Sequence, residues 1–274
     1  MRIHALFAFY GVLAAVTGKT VEMMKVHHEI KKWLSLFITL AMLFGVSGTV
    51  YAAAASDEAQ PVVPSGIIRP TPEEEEAYWN SLSEEEKQLI AEKEAEADRI
   101  AEEWAKQPMT RAATKISIPG TFTIYQQEET MYCAPACVKS MIQYLNGSSP
   151  SQSVIAGEMG TSFLTGTPVI NIAPYLNEMV DEVYIRSANP SLAAFKASVY
   201  ATIVDYKDPA MMAMVNHNSS YWHYNTDGHA VVINAIYSDR NTVQIADPAG
   251  SKYNKSFYTK SSSIANTVCT DLIW

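Results

Sequence analysis

Cysteine is scarce in this chain. Cys133, Cys137 and Cys269, three residues in 274, cannot build a disulfide-stapled framework. An odd number also leaves at least one thiol free in an exported protein, where a free thiol is a candidate for reactivity. A Cys137–Cys269 bridge is one candidate pairing, while four residues of helix between Cys133 and Cys137 make a bond between those two geometrically poor. Cys-x-x-Cys pairs, His-Glu-x-x-His helices and acidic loops with calcium-ligand spacing are all missing, so neither a metal site nor a cofactor is expected. A basic stripe is missing too. The formal net charge is −9, and with no concentration of Lys and Arg there is no footprint for nucleic acid.

The acidic excess is local: residues 56–113 carry six basic and fifteen acidic side chains. With 48% apolar residues, the chain as a whole suits a packed globule rather than a disordered polymer.

The apolar run over residues 34–46 lies behind Lys25, Lys31 and Lys32 and ahead of Ala52-Ala53-Ala54-Ala55. A basic region, an apolar stretch too short for an ordinary spanning helix and a small-residue cleavage region describe a secretory signal peptide over residues 24–54. The chain is therefore expected at the cell surface or outside the cell, with no stable membrane span after signal cleavage. Residues 1–23 hold a second apolar stretch from Ala5 to Val16. They read as an upstream extension of the gene, with translation starting at Met23 or Met24.

Residues 55–113 follow as an acidic linker or propeptide. Thr71-Pro72-Glu73-Glu74 and Ser83-Glu84-Glu85-Glu86 both carry helix-start signals. Leu82, Leu89, Ala97, Ile100 and Trp104 then share one thin face, which cannot form a core alone. Two expectations stand: a solvated spacer, or an intramolecular propeptide that docks on the domain behind it.

From residue 114 the pattern is mixed. Ile116 to Tyr125 alternates as a strand does. Helices are expected after Cys133, after Ser151, over Ile170–Met179 and over Pro190–Tyr200, the last with Leu192, Phe195 and Ala197 inward. Short apolar runs at Ala201–Val204, Ala210–Val215, Ala230–Tyr237 and Thr242–Ala246 read as sheet, the last two as a hairpin. Helices first and antiparallel strands afterwards define an α+β domain over residues 114–274.

The stretch Gln127 to Cys137 organises that domain. Cys133 stands at a helix start, where Pro135 suits the first turn and unpaired N–H groups favour thiolate over thiol. A nucleophilic cysteine needs a base, a group to orient the base and donors for an oxyanion. His229 beside the strand Ala230–Ile233 can supply the base, with His217 and His223 as competitors. Asp247, at the end of the paired strand, can orient it or simply cap an Asp-Pro turn. Gln127 can donate to the oxyanion, with Gln126 as the alternative. Tyr221-Trp222-His223-Tyr224 reads as an aromatic loop on the substrate side or the surface.

Gln127, Cys133-Ala134-Pro135-Ala136-Cys137, Gly228-His229-Ala230-Val231-Val232 and Asp247-Pro248 together resemble papain-like cysteine peptidases of the type that trims double-glycine leaders from bacteriocins. The similarity is greatest to their secreted, stand-alone bacterial relatives and covers about Ile116 to Trp274. It implies a papain-like fold, Cys133 as nucleophile, His229 as general base and acid, Asp247 as orienter, Gln127 as oxyanion donor, and a peptide or protein substrate. Family members usually have Gly where this chain has Ala134, and a positive φ there would strain alanine. A transglutaminase-like acyltransferase and a catalytically weak peptide-binding surface module are the alternative functions.

Overall fold

The computed structural model describes residues 66–106, 112–217, 221–222, 224–250 and 256–274. The signal-peptide and start-site readings and His223 lie outside these residues, as does the side chain of His217.

The domain is built on an antiparallel sheet. Its strands are β2 (Lys115–Ser117), β4 (Arg186–Ala188), β5 (Ala210–His217), β6 (Thr226–Tyr237), β7 (Thr242–Ala246), β8 (Phe257–Ser261) and β9 (Cys269–Ile273). They run in the order β4-β9-β5-β6-β7-β8, with β2 beside the far end of β6. The 12-residue β6 is the spine: Ala230 to Ile236 is buried apart from a slight exposure of Asn234, as expected of a strand covered on both faces.

Helix α3 (Cys133–Asn146) packs its apolar face against β6 and ends at Gly147, whose φ of 74° is the left-handed cap that glycine provides. Helices α4 (Gln152–Glu158) and α5 (Ile172–Met179) pack on α3. Ser151 caps α4 by accepting from Val154 N, and a 3₁₀ turn, Val169–Asn171, leads into α5. Helix α6 (Leu192–Tyr200) and α7 (Ser262–Val268) complete the cover, and the cluster around Met141, Phe195, Met212, Val232 and Leu272 is dry.

Three readings are corrected. Ile116–Tyr125 is a strand only as far as Ser117, because Pro119 cannot donate to a ladder and Gly120 turns at φ 71°. Ile118, Phe122 and Ile124 are still buried, from an irregular segment. Ala201–Val204 is not sheet: α6 continues through Tyr206 as a π-helical turn. Leu192, in the first turn of α6, faces out at 38% exposure.

The acidic segment is two helices, α1 (Pro72–Ser81) and α2 (Glu84–Ala105), and both capping boxes are formed. It is docked rather than solvated along its length. Ala97 and Ile100 are buried, α2 lies along α6, and Trp104 meets Tyr200 edge-on at 5.0 Å between ring centres. Lys93 is buried and donates to the carbonyls of Val183 and Trp274, both at 2.8 Å, with the Tyr206 and Trp274 rings beside it. Burial pushes its pKa down to about 8, against the pull of Glu96 and Asp208. Arg186 joins α1 to the sheet, forming a two-point pair with Glu75 at 2.7 and 3.0 Å and a 2.8 Å pair with buried Asp271. Ahead of α1, β1 (Ile67–Ile68) pairs in parallel with β3 (Thr167–Pro168), and Thr167 N donates to Gly66 O at 2.9 Å. Gly66 and Gly166 are in backbone contact. A Cβ on Gly166 would fall 2.0 Å from Gly66 O.

Candidate active site

Cys133 opens α3. Its N-cap, Tyr132, supplies no side-chain acceptor to the first turn, and Pro135 removes one donor that the turn would otherwise leave unsatisfied. The positive end of the helix therefore stays available next to the sulfur. Ala134 lies inside the helix, and the non-glycine residues with positive φ are Asn189, Lys207 and Arg240 among the described residues. The glycine usual at this place in the family is not required by the backbone here.

His229 lies within β6 opposite Met214, and the β6–β7 hairpin carries Asp247 to it. His229 Nε2 and Asp247 Oδ1 are 2.8 Å apart, and the Cys133 side chain lies near enough to the same imidazole to help raise its pKa. Asp247 is also the turn residue that the Asp-Pro sequence suggested: Ala249 N donates to the same Oδ1 at 2.9 Å. Burial alone would lower the pKa of His229, but the charge and hydrogen bond of Asp247, with Cys133, raise it. Asp247 is affected in the opposite sense. Burial would raise its pKa, and the His229 charge together with hydrogen bonds from His229, Tyr224 and Tyr258 brings it below the usual carboxylate range. Cys133, His229 and Asp247 are all fully buried.

Gln127 is brought to the site by its backbone, whose N–H donates to Pro248 O at 3.0 Å. Its loop is clipped in place by Gln152, which donates to Gln126 O and accepts from Glu128 N. The Gln127 side-chain amide, however, donates to the carbonyls of Glu129 and Thr130 at 3.1 and 2.9 Å, and its buried Oε1 has no partner among the described residues. To reach an oxyanion the amide must turn out of its own loop. The alternative, Gln126, faces Ser256 at 3.3 Å.

Cys137 is a core thiol. Its Sγ donates to Ala230 O at 3.4 Å, burial first of all holds its pKa well above normal, and all three cysteines are free. The 221–224 loop is corrected in part. Tyr221 is half exposed, but Trp222 and Tyr224 are buried behind Asp247 and not on the surface. Tyr224 and Tyr258 are site residues missed in the sequence. The cluster of aromatics just ahead of His229 was the signal for the first; nothing local marked the second.

Fold and site together define a papain-like cysteine peptidase. Residues 120–267 match the Peptidase_C39 like family, and the chain belongs to that family. Among solved structures it is similar to the peptidase domain of Streptococcus ComA, a bi-functional ABC transporter involved in a quorum-sensing pathway. That match has 18% identity and a TM-score of 0.38, covering 56% of this chain and 97% of that one. It is also similar to xylellain, a cysteine protease from Xylella fastidiosa, with 14% identity and a TM-score of 0.39, covering 59% of this chain and 86% of that one. No curated protein matches the chain.

Proposed function

We propose that this chain hydrolyses peptide amide bonds with Cys133 as nucleophile, His229 as general base and acid, and Asp247 as the group that orients His229. The observation that carries the proposal is the buried cluster in which Asp247 holds His229 at 2.8 Å while the Cys133 side chain acts on the same imidazole. His229 takes the thiol proton, and the thiolate attacks the carbonyl carbon. The tetrahedral oxyanion is met by the Cys133 N–H at the helix start and by the Gln127 amide once it has turned. His229 then protonates the departing amine, leaving a thioester. Water, deprotonated by His229, releases the acid and restores the thiol.

The reading of the chain as a catalytically weak binding module leaned on Ala134, whose helical backbone removes that support. The intramolecular propeptide belongs to the same proposal: Ile67 and Ile68 pair with Thr167 and Pro168, and Phe163 of the same loop stacks on Tyr132, the residue before Cys133. Export by a signal peptide is proposed with it, on the layout of residues 24–54.

The test measures turnover of a broad fluorogenic peptide set by the full chain and by its Cys133→Ala and His229→Ala variants. Each substitution is expected to lower kcat/KM by at least about 1,000-fold. Turnover by Cys133→Ala equal to that of the unaltered chain sinks the proposal. Added primary amines separate the acyltransferase: amide products formed in preference to acid would convert the hydrolase reading into that one.

A further inference from the structure

The Asp247 carboxylate takes more donors than a triad needs. Its Oδ1 receives His229 Nε2 and Ala249 N, and its Oδ2 receives two phenols, Tyr224 Oη and Tyr258 Oη, both at 2.7 Å. These tyrosines come from different places, Tyr224 just before β6 and Tyr258 from β8, and they converge on one oxygen. Trp222 lies beside Tyr258, the two rings meeting edge-on at 5.7 Å between centres. An ionised carboxylate has no hydrogen to give, so each phenol facing it is the donor. Tyr224 also stands edge-on to the His229 ring, with centres 5.6 Å apart.

We infer that Tyr224 and Tyr258 are a pair of positioning residues for the reaction, gripping Asp247 Oδ2 so that Oδ1 stays aimed at His229. The inference deepens the peptidase reading and rests on it for its kinetic part. A carboxylate held at one oxygen only can rotate about its last bond, and in rotating it would release the imidazole from the orientation in which Nε2 meets Oδ1. Two hydroxyls on the second oxygen close off that rotation. They also hold the carboxylate charged in a dry site, because each hydrogen bond to the ionised form favours it over the acid. The titratable groups that act on Asp247 are His229 on β6, Tyr224 ahead of it and Tyr258 on β8, with the Cys137 thiol on α3 within reach of its charge. Burial first, then the Asp247 charge, keeps both phenols protonated well past the ordinary tyrosine range, so both remain donors across the working pH.

The sign of the pH effect follows. A carboxylate whose pKa is depressed in the folded protein loses its charge as pH falls through that depressed value, and removing donors raises that value. In Tyr224→Phe and Tyr258→Phe the acid limb of kcat/KM therefore moves to higher pH, and it moves furthest in the double variant. Each single variant is expected to lose roughly 10-fold in kcat, the size of one hydrogen bond to a charged group, with KM within about two-fold. Thermal midpoints measured alongside identify simple misfolding.

A second readout does not depend on turnover: proton NMR of the downfield His229 Nε2–H signal, followed against pH in the full chain and the same variants. Its collapse at higher pH in the Phe variants supports the grip even if no peptide is cleaved. An unmoved acid limb together with an unmoved His229 signal in the folded double variant overturns it, whatever the fate of the peptidase reading.

Discussion

At the scale of single residues, the proposed chemistry divides between side chains and backbone. Cys133 and Asp247 were legible in the sequence because each sits where an element begins or turns, a helix start and an Asp-Pro corner; His229 was picked out as opening the strand at Ala230, whereas β6 begins at Thr226 and carries it inside. Gln127 is preferred over Gln126 only by the family resemblance, and the direction of its amide was not legible, since two carbonyls of its own loop compete for the same hydrogens. Tyr258 was illegible because its role depends on the β7–β8 register, which pairs it with Ile245 and so leaves it two residues from Asp247 along the neighbouring strand. Ala134 supplies a prediction at this scale. Its backbone is ordinary helix, so Ala134→Gly should leave kcat/KM within about two-fold and lower the unfolding free energy by roughly 0.5–1 kcal/mol, read by urea titration. A large gain in activity would mean that the backbone does need glycine there.

At the scale of elements, capping was the dependable signal. Thr71, Ser83 and Ser151 each accept from the backbone of the helix they start, as their sequences suggest. Apolar runs without caps were less informative: Ala201–Val204 is β-branched and apolar, yet it continues α6, because packing against its neighbours outweighs intrinsic preference. The β1–β3 pairing was invisible beforehand. Only two residues of each strand take part, and what joins them is the bare backbone of Gly66 against Gly166. Gly166→Ala would set a methyl 2.0 Å from Gly66 O at a φ of 94°, so β1 should be forced off. Limited proteolysis is expected to cut near residues 66–70 faster in this variant than in the parent. Equal rates would show that the contact does not hold the segment down.

At the scale of the whole molecule, the thin apolar stripe on α2 was readable but its destination was not. A stripe announces that a face is buried without naming the surface that buries it, and here that surface includes α6, Tyr206 and Trp274. Lys93 makes this docking sensitive to alkaline pH. Its pKa in the folded chain is about 8, below the ordinary 10.5, so burying the ammonium opposes folding at low pH and the opposition fades as the group loses its proton. Relative to Lys93→Met, the native chain should gain stability from about pH 8 to 10.5, by on the order of 3 kcal/mol in all. Chemical unfolding of both proteins across that range checks it, and parallel profiles would contradict the burial of the charge.

That same lysine has a consequence for how the molecule is made. It meets the Trp274 carbonyl 181 positions further along the chain, and Arg186 ties Glu75 to Asp271 in the same way. A ribosome therefore delivers α1 and α2 long before it delivers the surfaces they dock on. Contacts that span this much chain must wait until β9 has been made, and they are entropically slow to close. Helices α1 and α2, translated early, are thus late to find their seats.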